Sequence, residues 1–342
     1  MPPDRASARR LTVIAARLLR ACRNRLAVIE LLIVAHVWRL SARDVGVAVT
    51  YHRVARVSGD PAVELVPAVS TAVLLRQLWL FKTTFDIVPA SELPRRIRDR
   101  ARGNRIPLAI TFDDDLRCHA KLSAPLLRRL GATATFFVCG AELGAIGTYW
   151  WELLQEVIDG GNAVAQQSGI PEPVAAAWNG RRESIHAVAS EILKLDPDAR
   201  DRVARRLAEI GSTSGQRHTP LSLEGIRSLA ADGFEIGFHT LRHDYLPGLD
   251  DRRLRDALVT GRTDLERAVG HRLVAIAYPH GGGDERIAAA ARAAGYCVGF
   301  TTSGDAIDTD QDPLLLGRVE CSYRSATQLA ARVHRALRRA HS

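Results

Sequence analysis

Cysteine is scarce and unpatterned: Cys22, Cys118, Cys139, Cys297 and Cys321 sit at scattered spacings, with no C-x-x-C. That excludes a disulfide framework and suits a reducing compartment. Lysine is nearly missing. Lys82, Lys121 and Lys194 are the only three, so the positive charge is almost all arginine. No repeat at fixed period and no low-complexity tract occurs, which excludes solenoids and arrays. No apolar run reaches the ~20 residues that a spanning helix needs. The stretch Leu26 to Leu40 (LAVIELLIVAHVWRL) is interrupted by Glu30, His36 and Arg39. Trp38-Arg39-Leu40 does not resemble the small-residue cleavage site of a signal peptide.

What is present is an ordinary globular composition, 46% apolar and 25% charged over 342 residues. This length fits one large domain with additions. The net charge of +9 is uneven: residues 1–43 hold nine Arg against Asp4 and Glu30. We expect these residues to form a basic helical extension, with amphipathic helices near 9–22 and 25–40. Packing on the domain is the favoured reading, and a peripheral membrane contact stays open. No stacking platform or recognition motif accompanies the arginines, so nucleic acid is not expected as a partner. The expected compartment is cytoplasmic.

Past this leader, strands and helices alternate. Val45 to Tyr51, Ile106 to Phe112, Thr133 to Val138, Phe234 to Phe238, Leu273 to Ala277, Tyr296 to Thr301 and Leu314 to Glu320 read as strands. Helices are expected over 70–83, 92–102, 116–130 (with Gly131 as C-cap), 223–231, 251–269 and 284–294, and from Ser325. The alternation breaks between about 141 and 220, where helical segments near 183–194 and 197–210 predict a helical insertion. We therefore expect an α/β chain, a parallel sheet or barrel over 44–342.

The polar clusters fall at strand ends, where sites of such folds gather. Thr111-Phe112-Asp113-Asp114-Asp115 ends one apolar run. His239-Thr240-Leu241-Arg242-His243 ends another, about 125 residues later. Two His four apart, facing the same way on a helical turn, plus a carboxylate would make an open zinc site. A bound metal lowers the pKa of its water toward about 7. A neighbouring carboxylate can take the proton. Tyr278-Pro279-His280-Gly281 ends a third run, and Gly281 to Gly283 reads as a turn.

These motifs resemble the polysaccharide deacetylases, the carbohydrate esterase group with the NodB-homology domain, from about Val45 to Glu320 apart from the insertion. The resemblance implies a distorted (β/α) barrel of the NodB type and hydrolysis of an N-acetyl group from an amino sugar. It implies Asp113 as base, with Asp114, His239 and His243 holding Zn²⁺ or another divalent metal. The Ala277–Gly281 motif would shape the acetyl groove. Three positions depart from the family. Asp115 replaces the usual Gly, as a tolerated turn residue or a third carboxylate. Ala277 stands where many members carry an Arg bracing the base; Arg318 is a substitute, or a solvated Arg. No Leu-x-His follows near the C-terminus, so His280 is taken as proton donor. His52 is read as a hydrogen-bonded or site-lining residue, His119 as exposed, and Trp150 and Trp151 as core anchors or a wall over the site. A non-catalytic carbohydrate binder and a deacylase of a small glycosylated metabolite are the alternatives.

Overall fold

The computed structural model describes residues 44–140, 149–162, 164, 168–211, 220–321 and 325–339, with 28, 29, 31–33, 35–37, 39 and 40 of the leader. The expected helix near 9–22 lies outside the described residues, whereas the described positions between 28 and 40 are helical.

The apolar runs become strands: β1 (Val45–Tyr51), β2 (Val54–Ala55), β3 (Val69–Ser70), β4 (Asp86–Val88), β5 (Pro107–Phe112), β6 (Thr135–Val138), β7 (Glu235–Phe238), β8 (Ala275–Ala277), β9 (Val298–Phe300), β10 (Ile307–Asp308) and β11 (Val319–Glu320). Near-continuous apolar sequence is what a strand covered on both faces requires. The central order β1-β5-β6-β7-β8-β9 is parallel throughout. β11 pairs with β1 in parallel, and Leu316 bridges Phe300 at the end of β9. The segment from Leu316 to Glu320 therefore links both ends of the curled sheet and makes it a distorted barrel.

Alternate residues divide the two faces. Val47, Val49, Leu108, Ile110, Phe136, Ile236 and Ile276 pack outward in the main core. Ala48, Ala109, Phe137, Ala275, Ala277 and Phe300 form a smaller cluster on the other face. Small residues dominate that face because the curl brings its side chains together. A Cβ on Gly237 would stand 2.4 Å from the Phe137 ring. Each fully buried Leu or Phe stabilises this arrangement by roughly 1.5–3 kcal/mol.

Three local expectations fail for identifiable reasons. The single helix expected over 251–269 is two, Asp251–Val259 and Arg262–Val269. Gly261 has φ 79°, and a Cβ there would lie 2.1 Å from the Gly140 carbonyl oxygen, so the chain breaks to admit the neighbouring backbone. The helix expected over 92–102 is confined to Leu93–Arg98, preceded by a 3₁₀ turn at Ala90–Glu92. The segment 116–130 starts with Leu116 bridged to Pro220 and passes through a π-helical turn, His119–Ser123, before Ala124–Leu130. That turn directs His119 inward: it is 0% exposed, not on the surface. Its ring packs against Phe112 and Phe136, and its Nε2–H donates to the His52 carbonyl at 3.0 Å. Burial pushes its pKa down to about 4, which keeps it neutral.

Between β6 and β7, the helices Trp150–Asp159, Glu172–Ala176, Ile185–Lys194 and Pro197–Gly211 pack on one another through their own apolar cluster. Arg53, just after β1, ties this layer to the sheet by an ion pair with Glu152, a residue 1% exposed.

Candidate metal centre and active site

Parallel strands bring their C-terminal ends to one rim, and the strand-end motifs meet there. Asp113 follows β5, with its N–H bonded to the Tyr51 carbonyl at the end of β1. His239 follows β7, with its N–H bonded to the Val138 carbonyl at the end of β6. The distant partners in sequence are thus neighbours in space. Asp114 Oδ1 lies 3.4 Å from His239 Nε2 and 3.2 Å from His243 Nε2. One ligand atom of each of the three residues lies within 4.8 Å of the others, and all three are buried.

This trio fits a divalent cation. Asp114 Oδ1 and His243 Nδ1 are buried without a hydrogen-bond partner. The His239 Nδ1–H donates to the Ala277 carbonyl at 2.8 Å, which fixes the tautomer with a lone pair on Nε2. One carboxylate and two imidazoles leave coordination positions for water and substrate. Burial alone would raise the Asp114 pKa; the close imidazoles of His239 and His243 outweigh it and hold it well below the usual range. The two histidines do not lie on a helix, because Thr240 (φ 64°) and His243 (φ 56°) are left-handed. Asp114, Asp115 and His280 share positive φ values, so every non-glycine residue with this strain among the described residues belongs to the site or adjoins it.

Asp113 is held by Arg318. The guanidinium donates from Nη1 to Oδ1 at 2.8 Å and from Nη2 to Oδ2 at 2.7 Å. It also donates to Thr111 Oγ1 at 3.0 Å and to the Thr301 carbonyl at 3.1 Å. Arg318 is 1% exposed and lies against the Phe137 and Phe300 rings, so it is not a solvated arginine. Burial favours the neutral carboxyl, yet the Arg318 charge outweighs it and keeps the Asp113 pKa low. Arg318 stands on the segment that closes the barrel, and it occupies the bracing role that Ala277 vacates.

Asp115 is more than a turn former. It is 1% exposed, and its Oδ1 accepts the Tyr149 hydroxyl at 2.6 Å and the Cys139 N–H at 3.2 Å. Burial pushes its pKa up to about 6, and these donors moderate that shift. Tyr149 stacks on Trp151 at 4.3 Å, and Trp151 lies 4.5 Å from the His243 ring. The third aspartate thereby fixes the aromatic residues that open the helical layer. Replacing Tyr149 with Phe leaves that buried carboxyl short of a donor. We expect a loss of about 1–3 kcal/mol in stability, measured by denaturant unfolding; an unchanged midpoint would show that the bond carries no weight.

Around these residues lies a cavity of about 320 Å³. Asp113, Asp114, His239, His243 and Arg318 form its polar floor. Trp150, Trp151, Ala189 and Leu193 wall one side, and Leu65 to Pro67 from the β2–β3 loop complete it. Nothing local in the sequence marked that loop. His52, after β1, and Glu320, on β11, also line the cavity, with His52 Nδ1 3.9 Å from the carboxylate. Burial opposes protonation of His52, but Asp114, Glu320 and Asp113 outweigh it and raise its pKa. His280 lies at the rim as an exposed residue with its ring 4.7 Å from His243; desolvation, then the neighbouring His243, lower its pKa. Gly281 (φ 71°) and its neighbours form a tight turn there, with no room for a Cβ beside Thr302.

Residues 100–174 and 208–299 match the family model described as polysaccharide deacetylase, and the chain belongs to that family. The Bacillus subtilis (strain 168) protein YxkH, named for the same family, is 30% identical over 113 residues. The match covers 33% of this chain and 40% of that relative. Among solved structures, the Streptococcus pyogenes deacetylase PplD, determined in complex with acetate, has a TM-score of 0.57 at 16% identity, over 84% of this chain and 97% of that one. A polysaccharide deacetylase from Bacillus cereus gives 0.54 at 17%, over 84% and 69%. IcaB from Ammonifex degensii gives 0.51 at 19%, over 85% and 97%. These likenesses establish the NodB-type barrel.

Proposed function

We propose that this chain is a metal-dependent deacetylase that removes an N-acetyl group from an amino sugar of a carbohydrate. The observation that carries this reading is the convergence of Asp114, His239 and His243 beside an aspartate clamped by a buried arginine. Asp114, His239 and His243 would hold the divalent cation, Zn²⁺ being well suited to this donor set. Such an ion supplies Lewis acidity, polarising an amide carbonyl and acidifying water.

The chain's own groups do the rest. Arg318 keeps Asp113 ionised and in one orientation. Asp113 accepts a proton as water oxygen attacks the acetyl carbonyl carbon. The amide nitrogen needs a proton before the C–N bond breaks to give acetate and a free amine. We assign that proton to His52, whose neighbours favour the imidazolium, in preference to His280, whose surroundings favour the neutral ring. His280 and the tryptophans instead shape the cavity around the substrate.

The test is acetate release from N-acetylglucosamine oligomers by purified protein, with metal content measured in parallel. We expect one bound divalent ion per chain, activity lost to a chelator and restored by added metal. His239→Ala should fall at least about tenfold in metal affinity, on the scale of lesser changes to metal sites. Stoichiometric metal with no acetate from any acetylated sugar would point to a binding protein instead.

A further inference from the structure

The helical positions between 28 and 40 carry two apolar faces. Leu31 and Ala35 are buried, and Leu31 belongs to the main core. Ile29, Leu32, Ile33, Val37 and Leu40 are 51%, 44%, 56%, 56% and 50% exposed. Their spacing places all five on one stripe of a 3.6-residue helix, with the exposed His36 as the polar residue within it. A helix that only covered the barrel would need the first face alone.

The charge beside this stripe is mostly of one sign. Arg39 donates to the Gly103 carbonyl, and Arg102 Nε donates to the Leu40 carbonyl at 2.6 Å. The end of the stripe is therefore stitched to a segment where Arg98, Arg102 and Arg105 are exposed, with Asp99 the acidic exception. Residues 1–27 add seven Arg against Asp4. Among the described residues, no helix is long and apolar enough to cross a membrane.

We infer that this helix, with the exposed arginines of residues 98–105 beside its end, docks the chain on the surface of an anionic lipid bilayer. Apolar side chains at the helix face enter the acyl boundary while arginines meet the headgroups. Charge decides between occupants: a second copy would bring the same arginines together, whereas an anionic surface neutralises them. The binding involves none of the residues assigned to deacetylation, so it stands or falls separately.

The experiment is co-sedimentation of the full chain with vesicles of phosphatidylcholine alone or mixed with phosphatidylglycerol. We expect at least about tenfold stronger binding to the mixed vesicles, falling with added salt as headgroup attraction is screened. The double variant Ile33→Ser, Val37→Ser changes only exposed side chains and should lose binding while keeping the parent's thermal midpoint and metal content. Equal binding to both vesicle types, binding to neither, or binding unaffected by the double variant would overturn the proposal. So would a dimer in light scattering that the variant dissociates without any vesicle binding. Binding that emerges only after removal of residues 1–27 would assign the stripe to that segment and also overturn it.

Discussion

Exchanging Arg318 for methionine should cost about 3–5 kcal/mol of stability, the scale for removing one partner of a buried ion pair. Arg318 is 1% exposed and Asp113 2%, so solvent cannot replace the lost bonds. Denaturant unfolding measures the loss, and the double variant Arg318→Met, Asp113→Asn should recover much of it because no uncompensated charge remains. The pH dependence has a definite sign. Arg318 depresses the folded-state pKa of Asp113. Its contribution is therefore fully present above the unfolded carboxyl pKa of about 3.9 and is lost as pH falls through the lower folded value. Without Arg318 the acid limb of the rate profile should move to higher pH, since burial then acts on Asp113 with less opposition. A variant as stable as the parent, with an unmoved acid limb, would remove Arg318 from the argument.

The largest kinetic effect is expected at Asp113 itself. Asp113→Asn should lower kcat by about 10²–10⁴-fold, the usual range for a general base, with bound metal retained. An asparagine still accepts a bond from Arg318 but cannot take the proton. His52→Gln should fall by a similar factor and flatten the alkaline limb, because the proton donor is the group lost there. The two variants separate the halves of the reaction. Wild-type acetate release from Asp113→Asn would sink the base assignment. An unaltered alkaline limb in His52→Gln, with a changed one in His280→Gln, would return the donor role to His280.

Strand ends were legible because buried parallel strands are written as continuous apolar runs. Val45 to Tyr51 and Ile106 to Phe112 both delivered their polar termini to the rim. The two halves of the metal site were legible for the same reason. Groups whose position depends on closure of the barrel were not. Arg318 is 205 residues from Asp113, and no local pattern separates a clamped arginine from a solvated one. His119 is turned inward by a π-helical turn that its residue spacing does not announce. Spacing does not separate the two readings of Asp115, turn residue or third carboxylate, because its partner, Tyr149, comes from the helical layer. Gly261 was hidden within an unbroken helical pattern, since the reason for its bend is the backbone of Gly140.

The closing segment from Leu316 to Glu320 has a consequence for synthesis. Chains emerge from the ribosome N-terminus first, so Asp113 leaves the ribosome some 200 residues before its only bidentate partner among the described residues. Until β11 pairs with β1, the nascent barrel holds a carboxylate without its arginine clamp. Acetate release would then serve as a readout of completed translation, absent from any fragment that stops short of Arg318.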